Sequence, residues 1–267
     1  MWAPATAAEE SVLRIDSRPG VKEVMVVTPG KSVAVLTPSL SKASNVVIML
    51  NGGSGQVWIG RAADGPDAGK LKVGGSMPIV ARQALADQVG AVAILTQPSD
   101  RPMMDQEWRD SREHVADVAA AVKVVRERFP DTKVWLLGIS NGAWSAAHAG
   151  AALQDRLAGV ILMSVAGGAF TTQGFAGIRI PVLVVQHRRD SCLPYSNIEE
   201  PAKWYTLVTV DDARLPRVGL IKKDCGPDSA HNFHGNEAAV MAAVAQWINT
   251  GTAPANINQE TAKRSKE

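Results

Sequence analysis

No apolar run in this 267-residue chain reaches the roughly 18 to 20 residues that a membrane-spanning helix requires, so no membrane span is expected. A block of one charge is missing too. The 28 Lys and Arg are interspersed with 26 Asp and Glu for a formal net charge of +2, and nothing points to nucleic acid or an anionic membrane as partner. Cysteine is scarce: Cys192 and Cys225 permit one disulfide or two free thiols, and their spacing fits no zinc site, so no metal is expected. The opening Met-Trp-Ala-Pro-Ala-Thr-Ala-Ala-Glu-Glu lacks a charged, apolar signal sequence. Its small residues resemble the first residues after a signal-peptide cleavage site with a start Met added, which makes export, periplasmic or secreted, the expectation. There is no internal repeat and no low-complexity segment.

What is present suits one substantial α/β domain. The chain is 46% hydrophobic and 20% charged, enough to bury a core in a domain spanning residues 21–250, with an N-terminal extension over 1–20 and a polar tail over 251–267. Val21 to Thr28 and Ser32 to Thr37, joined by Pro29-Gly30-Lys31, read as an edge hairpin. Val46 to Leu50 is apolar on both faces, as a buried parallel strand must be, and runs into Asn51-Gly52-Gly53-Ser54-Gly55. Ser76-Met77-Pro78 opens a helix that closes at Gly90, and Ala91 to Thr96 is a further buried strand. Val115, Val118, Val122, Val125 and Phe129 share one face of a helix that Pro130 stops. Strands follow at Gly159 to Val165, Val182 to Gln186 and Val218 to Lys222. The last helix, Asn236 to Thr250, places Val240, Val244, Trp247 and Ile248 on one face. Strands alternating with helices predict a mainly parallel sheet of about eight strands, covered by helices on both faces.

The most informative stretch is Lys133 to His148. An apolar run from Val134 meets Gly138-Ile139-Ser140-Asn141-Gly142, and small helix-compatible residues follow, giving strand, sharp turn and helix. Such a turn strains its central residue and lifts the Ser140 hydroxyl clear of the backbone at a helix N-terminus, where negative charge is favoured and the Asn141 amide can donate to an oxyanion. A serine needs a base and a group to orient that base. Asp190 stands just past the carboxyl end of the strand at 182–186, where open α/β sheets build their sites, and His231 and His234 precede the last helix.

Serine, then aspartate, then histidine on these elements resembles the α/β-hydrolase fold, over roughly residues 20 to 250. The Gly-Ile-Ser-Asn-Gly turn looks like that fold's nucleophile elbow, His187-x-x-Asp190-x-x-Leu193-Pro194 like its acid loop, and His231-Asn232-Phe233 like its histidine loop, with Asn232 where glycine is usual. The resemblance implies that Ser140 attacks a carbonyl, His231 moves the proton, and Asp190 orients the imidazole. Asp211, Asp212 and Asp224 are the rival acids. His234 is expected at the rim, and His114, His148 and His187 are expected to be structural. The Asn51-Gly52-Gly53 turn is placed to give the second oxyanion amide, from Gly53 in preference to Gly52, although Asn51 stands where the family usually has histidine. Val165 and Val182 stand only 17 residues apart, too few for a helical cap domain, so the site is expected to be open or roofed by loops, chiefly 54–75 and 98–110. Trp58, Met103, Met104, Trp108 and Trp144 are candidates to line an apolar pocket or to be core.

The implied activity is that of a cofactor-free serine esterase, cleaving small-molecule carboxylic esters through an acyl-enzyme. Peptidase, amidase or thioesterase chemistry on the same fold is the alternative, as is a non-catalytic binding protein. Cys192 follows Asp190 by two residues and Cys225 precedes His231 by six. Loops after neighbouring strands emerge side by side, so a Cys192–Cys225 disulfide is expected to tie the acid loop to the base loop, in keeping with an oxidising compartment.

Overall fold

The computed structural model describes residues 9–31, 43–64, 68–165, 177–195, 198, 204–212 and 225–258. In chain order its strands are β1 (Ser11–Arg18), β2 (Val21–Pro29), β3 (Asn45–Leu50), β4 (Trp58–Arg61), β5 (Leu71–Gly74), β6 (Gly90–Leu95), β7 (Lys133–Ile139), β8 (Gly159–Met163), β9 (Val182–His187), β10 (Thr206–Val210) and β11 (Asn256–Ile257). The helices are α1 (Met77–Val80), α2 (Arg82–Val89), α3 (Gln106–Arg109), α4 (Arg112–Arg128), α5 (Asn141–Ala152) and α6 (Glu237–Thr250). Nine strands form one sheet in the order β1-β2-β6-β3-β7-β8-β9-β10-β11, and β4 and β5 make a separate hairpin. From β6 to β11 every pairing is parallel; β1 and β2 are the antiparallel edge.

Period-two alternation sorts the central strands into two cores. Val47 and Met49 of β3 pack with Leu137, Ile139, Ile161 and Leu85 and with Val240, Val244 and Trp247 of α6 on one face. Val46, Ile48 and Leu50 pack with Leu136 and Val160, with Val118, Val122 and Val125 of α4 and with Ala143 and Ala146 of α5 on the other. All six residues of β3 and of β6 are buried, which is why their sequence shows no polar face. Each buried valine or leucine contributes roughly 1.5–3 kcal/mol relative to exposure, so the two layers together hold the strand ends in place. Asp105 and Ser111 cap α3 and α4 by accepting from Trp108 N and His114 N.

Several boundaries differ from those expected. The partner of Val21–Pro29 in the edge hairpin is Ser11–Arg18, across a turn at Gly20 with φ 76°, so part of the expected N-terminal extension belongs to the sheet. Residues 32–37, the expected partner, lie outside the described residues, as does the strand expected over 218–222. Alternation does not separate 11–18 from 32–37; the mark of the observed hairpin is the local Pro19-Gly20 turn. β10 has no counterpart among the expected strands, and Asn256–Ile257 of the expected tail pairs with it. The helix expected over 76–90 is two, because the chain turns at Ala81 (φ −85°, ψ 8°). Gly90 does close α2, at φ 129°.

Candidate active site

β7 delivers the chain into a turn that only small neighbours permit. A Cβ on Gly138 would lie 1.9 Å from the Gly142 carbonyl oxygen, and one on Gly142 would lie 2.2 Å from the Leu50 oxygen, so strand, helix α5 and strand β3 meet at backbone distance. Between these glycines Ser140 takes φ 56° and ψ −125°. Its amide donates to the Met163 oxygen at 2.9 Å and its carbonyl accepts from Ala143 N at 2.9 Å, which hold a conformation costing about 1–3 kcal/mol. Among the described residues the other non-glycine positive-φ positions are Ser164 (46°) and Phe233 (54°). Ser164 Oγ donates to the His231 carbonyl at 2.6 Å, so the strained residues after β7 and β8 and beside the histidine gather around one place.

Asp190 and His231, 41 residues apart in sequence, are joined by a 2.8 Å contact from Asp190 Oδ2 to His231 Nδ1, with both side chains buried. The other carboxylate oxygen accepts from Cys192 N and Leu193 N, both at 2.9 Å, and Oδ2 also accepts from Gln186 Nε2 at 3.1 Å. With Nδ1 donating to the carboxylate, Nε2 is the nitrogen left to take a proton. Asn232, which stands where glycine was expected, accepts from Met77 N at 3.2 Å and donates to Cys225 O and Gly226 O at 3.2 and 2.9 Å, so it ties the histidine loop to α1 and to the disulfide segment. Cys192 and Cys225 are disulfide-bonded, with Cα atoms 5.2 Å apart. The expected bridge between acid loop and base loop is therefore formed.

The turn after β3 sits against the elbow. A Cβ on Gly52 would come within 3.2 Å of Ser140 Cβ, so Gly52 is the glycine packed on the nucleophile, while Gly53 takes φ 54° with open space around its Cα. Asn51 Oδ1 accepts from Ser76 N and Oγ, at 3.0 and 2.5 Å, and its Nδ2 donates to Gln56 O at 2.5 Å, which closes the turn. Beneath lies Arg109, fully buried, donating to Ser145 Oγ at 2.6 Å, Gly53 O at 3.1 Å and Asn51 O at 3.4 Å. Asn141 Nδ2 also donates to Gly53 O, at 3.1 Å.

The pocket candidates separate. Trp58 on β4 and Met103 are exposed, and Met104 is buried against Gly55. Trp108 is covered by two guanidiniums, with Arg18 and Arg101 at 5.0 and 4.6 Å from the ring centroid, and so is a packing residue. Trp144 donates to Asp110 and stacks on His148. Of the rival residues, Asp212 is buried and accepts from Asn236 Nδ2 at 3.2 Å, Asp211 faces Arg188 at 3.3 Å, and Asp224 lies outside the described residues. His234 is half-exposed between Asp228 and Glu237, at the rim. Burial holds His187 below its usual range and pushes His114 down to about 3, so both stay neutral. Gln186, Ser164 and Arg109 escaped the sequence. The first two were marked only by a polar residue ending an apolar run, and Arg109 by nothing.

The fold is shared with known proteins. A family profile described as serine aminopeptidase, S33, matches residues 104–206. A search of curated proteins finds no match. Among solved structures, an α/β serine hydrolase without lid from Xanthomonas campestris superposes with a TM-score of 0.61 at 20% identity, covering 94% of this chain and 99% of its own. Est1E from Butyrivibrio proteoclasticus gives 0.57 at 17% identity, over 89% and 97%. A cold-adapted esterase from an Arctic intertidal metagenomic library gives 0.52 at 15%, over 89% and 92%. The fold is that of the α/β hydrolases.

Proposed function

We propose that this chain, a serine hydrolase of the α/β-hydrolase fold, cleaves carboxylic esters of small molecules through an acyl-enzyme. The observations that carry the reading are the buried Asp190–His231 pair at 2.8 Å and a serine held at φ 56° on the turn before α5. In this reading Ser140 Oγ attacks the ester carbonyl as His231 Nε2 takes its proton, and the same nitrogen returns the proton to the leaving alcohol. Asp190, saturated by three other donors, fixes the ring and stabilises the imidazolium that forms. The oxyanion is met by the Asn141 amide at the start of a twelve-residue helix and by an amide of the Gly52-Gly53 turn. Water then repeats the sequence on the acyl-enzyme.

Support for an ester comes from neighbours of the same fold that are described as esterases. The S33 description of the matched profile favours a second reading, aminopeptidase activity. The Cys192–Cys225 bond supports export, since such bonds persist in oxidising compartments. A fluorophosphonate probe should label the folded protein once, at Ser140, and Ser140→Ala should abolish labelling and ester turnover while keeping the fold. Turnover by folded Ser140→Ala at more than about a hundredth of the parent rate refutes the mechanism, since loss of the nucleophile leaves only what an oxyanion hole supplies. Esters of graded acyl length, run beside aminoacyl amides, separate the two substrate classes.

A further inference from the structure

Arg109 is the largest fully buried side chain among the described residues, and no carboxylate there forms an ion pair with it. A buried guanidinium normally lies against a carboxylate, because desolvating the charge is otherwise uncompensated. Here the charge is met directly by two backbone carbonyls and one hydroxyl, Asp105 acts on it only through space, and Nε has no hydrogen-bond partner among the described residues. Burial lowers its pKa to about 10, which still leaves it a cation at neutral pH.

The two carbonyls belong to the peptides on either side of the Gly52–Gly53 peptide. A trans peptide points its N–H away from its C=O, so gripping a carbonyl also sets the direction of the amide across the plane. The peptide between them has its own carbonyl taken by Gly55 N at 2.9 Å. Two glycines, one with φ 54° and open space at its Cα, give this segment little stiffness of its own. The third acceptor, Ser145 Oγ, sits one turn into the helix that begins after the nucleophile. One guanidinium thus holds the oxyanion turn in register with the nucleophile helix.

We propose that Arg109 is a positioning residue of the ester hydrolysis, fixing the Gly52–Gly53 turn so that its amide faces the oxyanion, and placing a buried positive charge behind it. This rests on the esterase reading above. The charge is permanent and dry, so its attraction strengthens as the oxyanion forms and adds little to binding of the neutral ester.

The test compares Arg109→Met, of similar length and uncharged, with Arg109→Lys, which keeps the charge but cannot span three acceptors. Steady-state kinetics on a p-nitrophenyl ester should show kcat lowered roughly 10- to 100-fold in Arg109→Met with KM changed less than about threefold, counted per fluorophosphonate-titrated site. Arg109→Lys should recover part of the loss. If Arg109→Met does not fold, Arg109→Lys decides alone, with an expected kcat loss of several-fold. Unchanged kcat in the folded variants overturns the proposal, as does a loss confined to KM. Amide exchange at residues 52–54 should also quicken in both variants, and equal exchange overturns the positioning role. A parent protein that neither hydrolyses esters nor takes the probe refutes the esterase reading instead, and the exchange rates then decide separately whether Arg109 fixes the turn.

Discussion

Removing the Cys192–Cys225 bond should cost stability and activity together. The two cysteines are 33 residues apart, and closing a loop of that length removes about 3–4 kcal/mol of chain entropy from the unfolded state. For a chain of this size each kcal/mol moves the melting temperature by roughly 2–4 °C, so Cys192→Ser/Cys225→Ser should melt about 6–16 °C below the parent. The catalytic consequence follows from the bonds around the bridge. Cys192 N donates to Asp190 Oδ1, and Cys225 O accepts from the Asn232 amide beside His231. Without the covalent tie the acid and base loops fluctuate independently, and the fraction of molecules with the 2.8 Å contact made should fall. Calorimetry and esterase assays at about 25 °C, on the parent, the reduced parent and the double variant, check both parts. A melting shift below about 2 °C refutes the entropy argument. A full shift with unchanged kcat refutes the claim that the bridge maintains the acid–base pair.

Three further outcomes follow from the geometry. His231→Ala should lose kcat by roughly three orders of magnitude or more, whereas His234→Ala, altering a half-exposed rim residue, should change it by less than about tenfold, and the reverse ranking would move the base. Asp190→Asn should keep the fold, since Asn can still accept from Cys192 N and Leu193 N, yet lose most of kcat because the imidazole loses its ionic partner; a mild effect read by kcat would assign the acid elsewhere. Glu23 on β2 is buried near Asp117, which Arg18 holds at 2.6 Å, and burial, aided by Asp117, pushes its carboxyl up to about 8. Its folded-state pKa lies above the unfolded value, so its contribution is complete below about pH 4.5 and is lost as pH rises to about 8. Melting curves of Glu23→Gln and the parent should therefore diverge in favour of the variant across that window and run parallel above it. Parallel curves throughout would show that Glu23 does not take up the proton on folding.

Much of the site was legible because its marks are local. Gly138 and Gly142 stand where backbone must pass backbone, Ser140 stands between them, and Asp190 follows an apolar run that could only be a buried strand. The asparagine at 232 shows where such reading stopped. It departs from the resembled glycine, and only the fold shows why an amide belongs there, reaching Met77 N, Cys225 O and Gly226 O from separate parts of the chain.

What the sequence determined by itself is whatever a few neighbouring residues decide: the period of the central elements, the two apolar faces of β3 and β6, and the turn that strains Ser140. What only the tertiary structure decided is which distant segments meet. β6 lies between β2 and β3, Asp190 rather than Asp212 reaches His231, and Arg109 lies under Asn51 and Gly53. Backbone propensity and alternation act over a turn or a pleat, while pairing and the burial of a charge depend on the whole packed sheet and on every other group competing for the same partners.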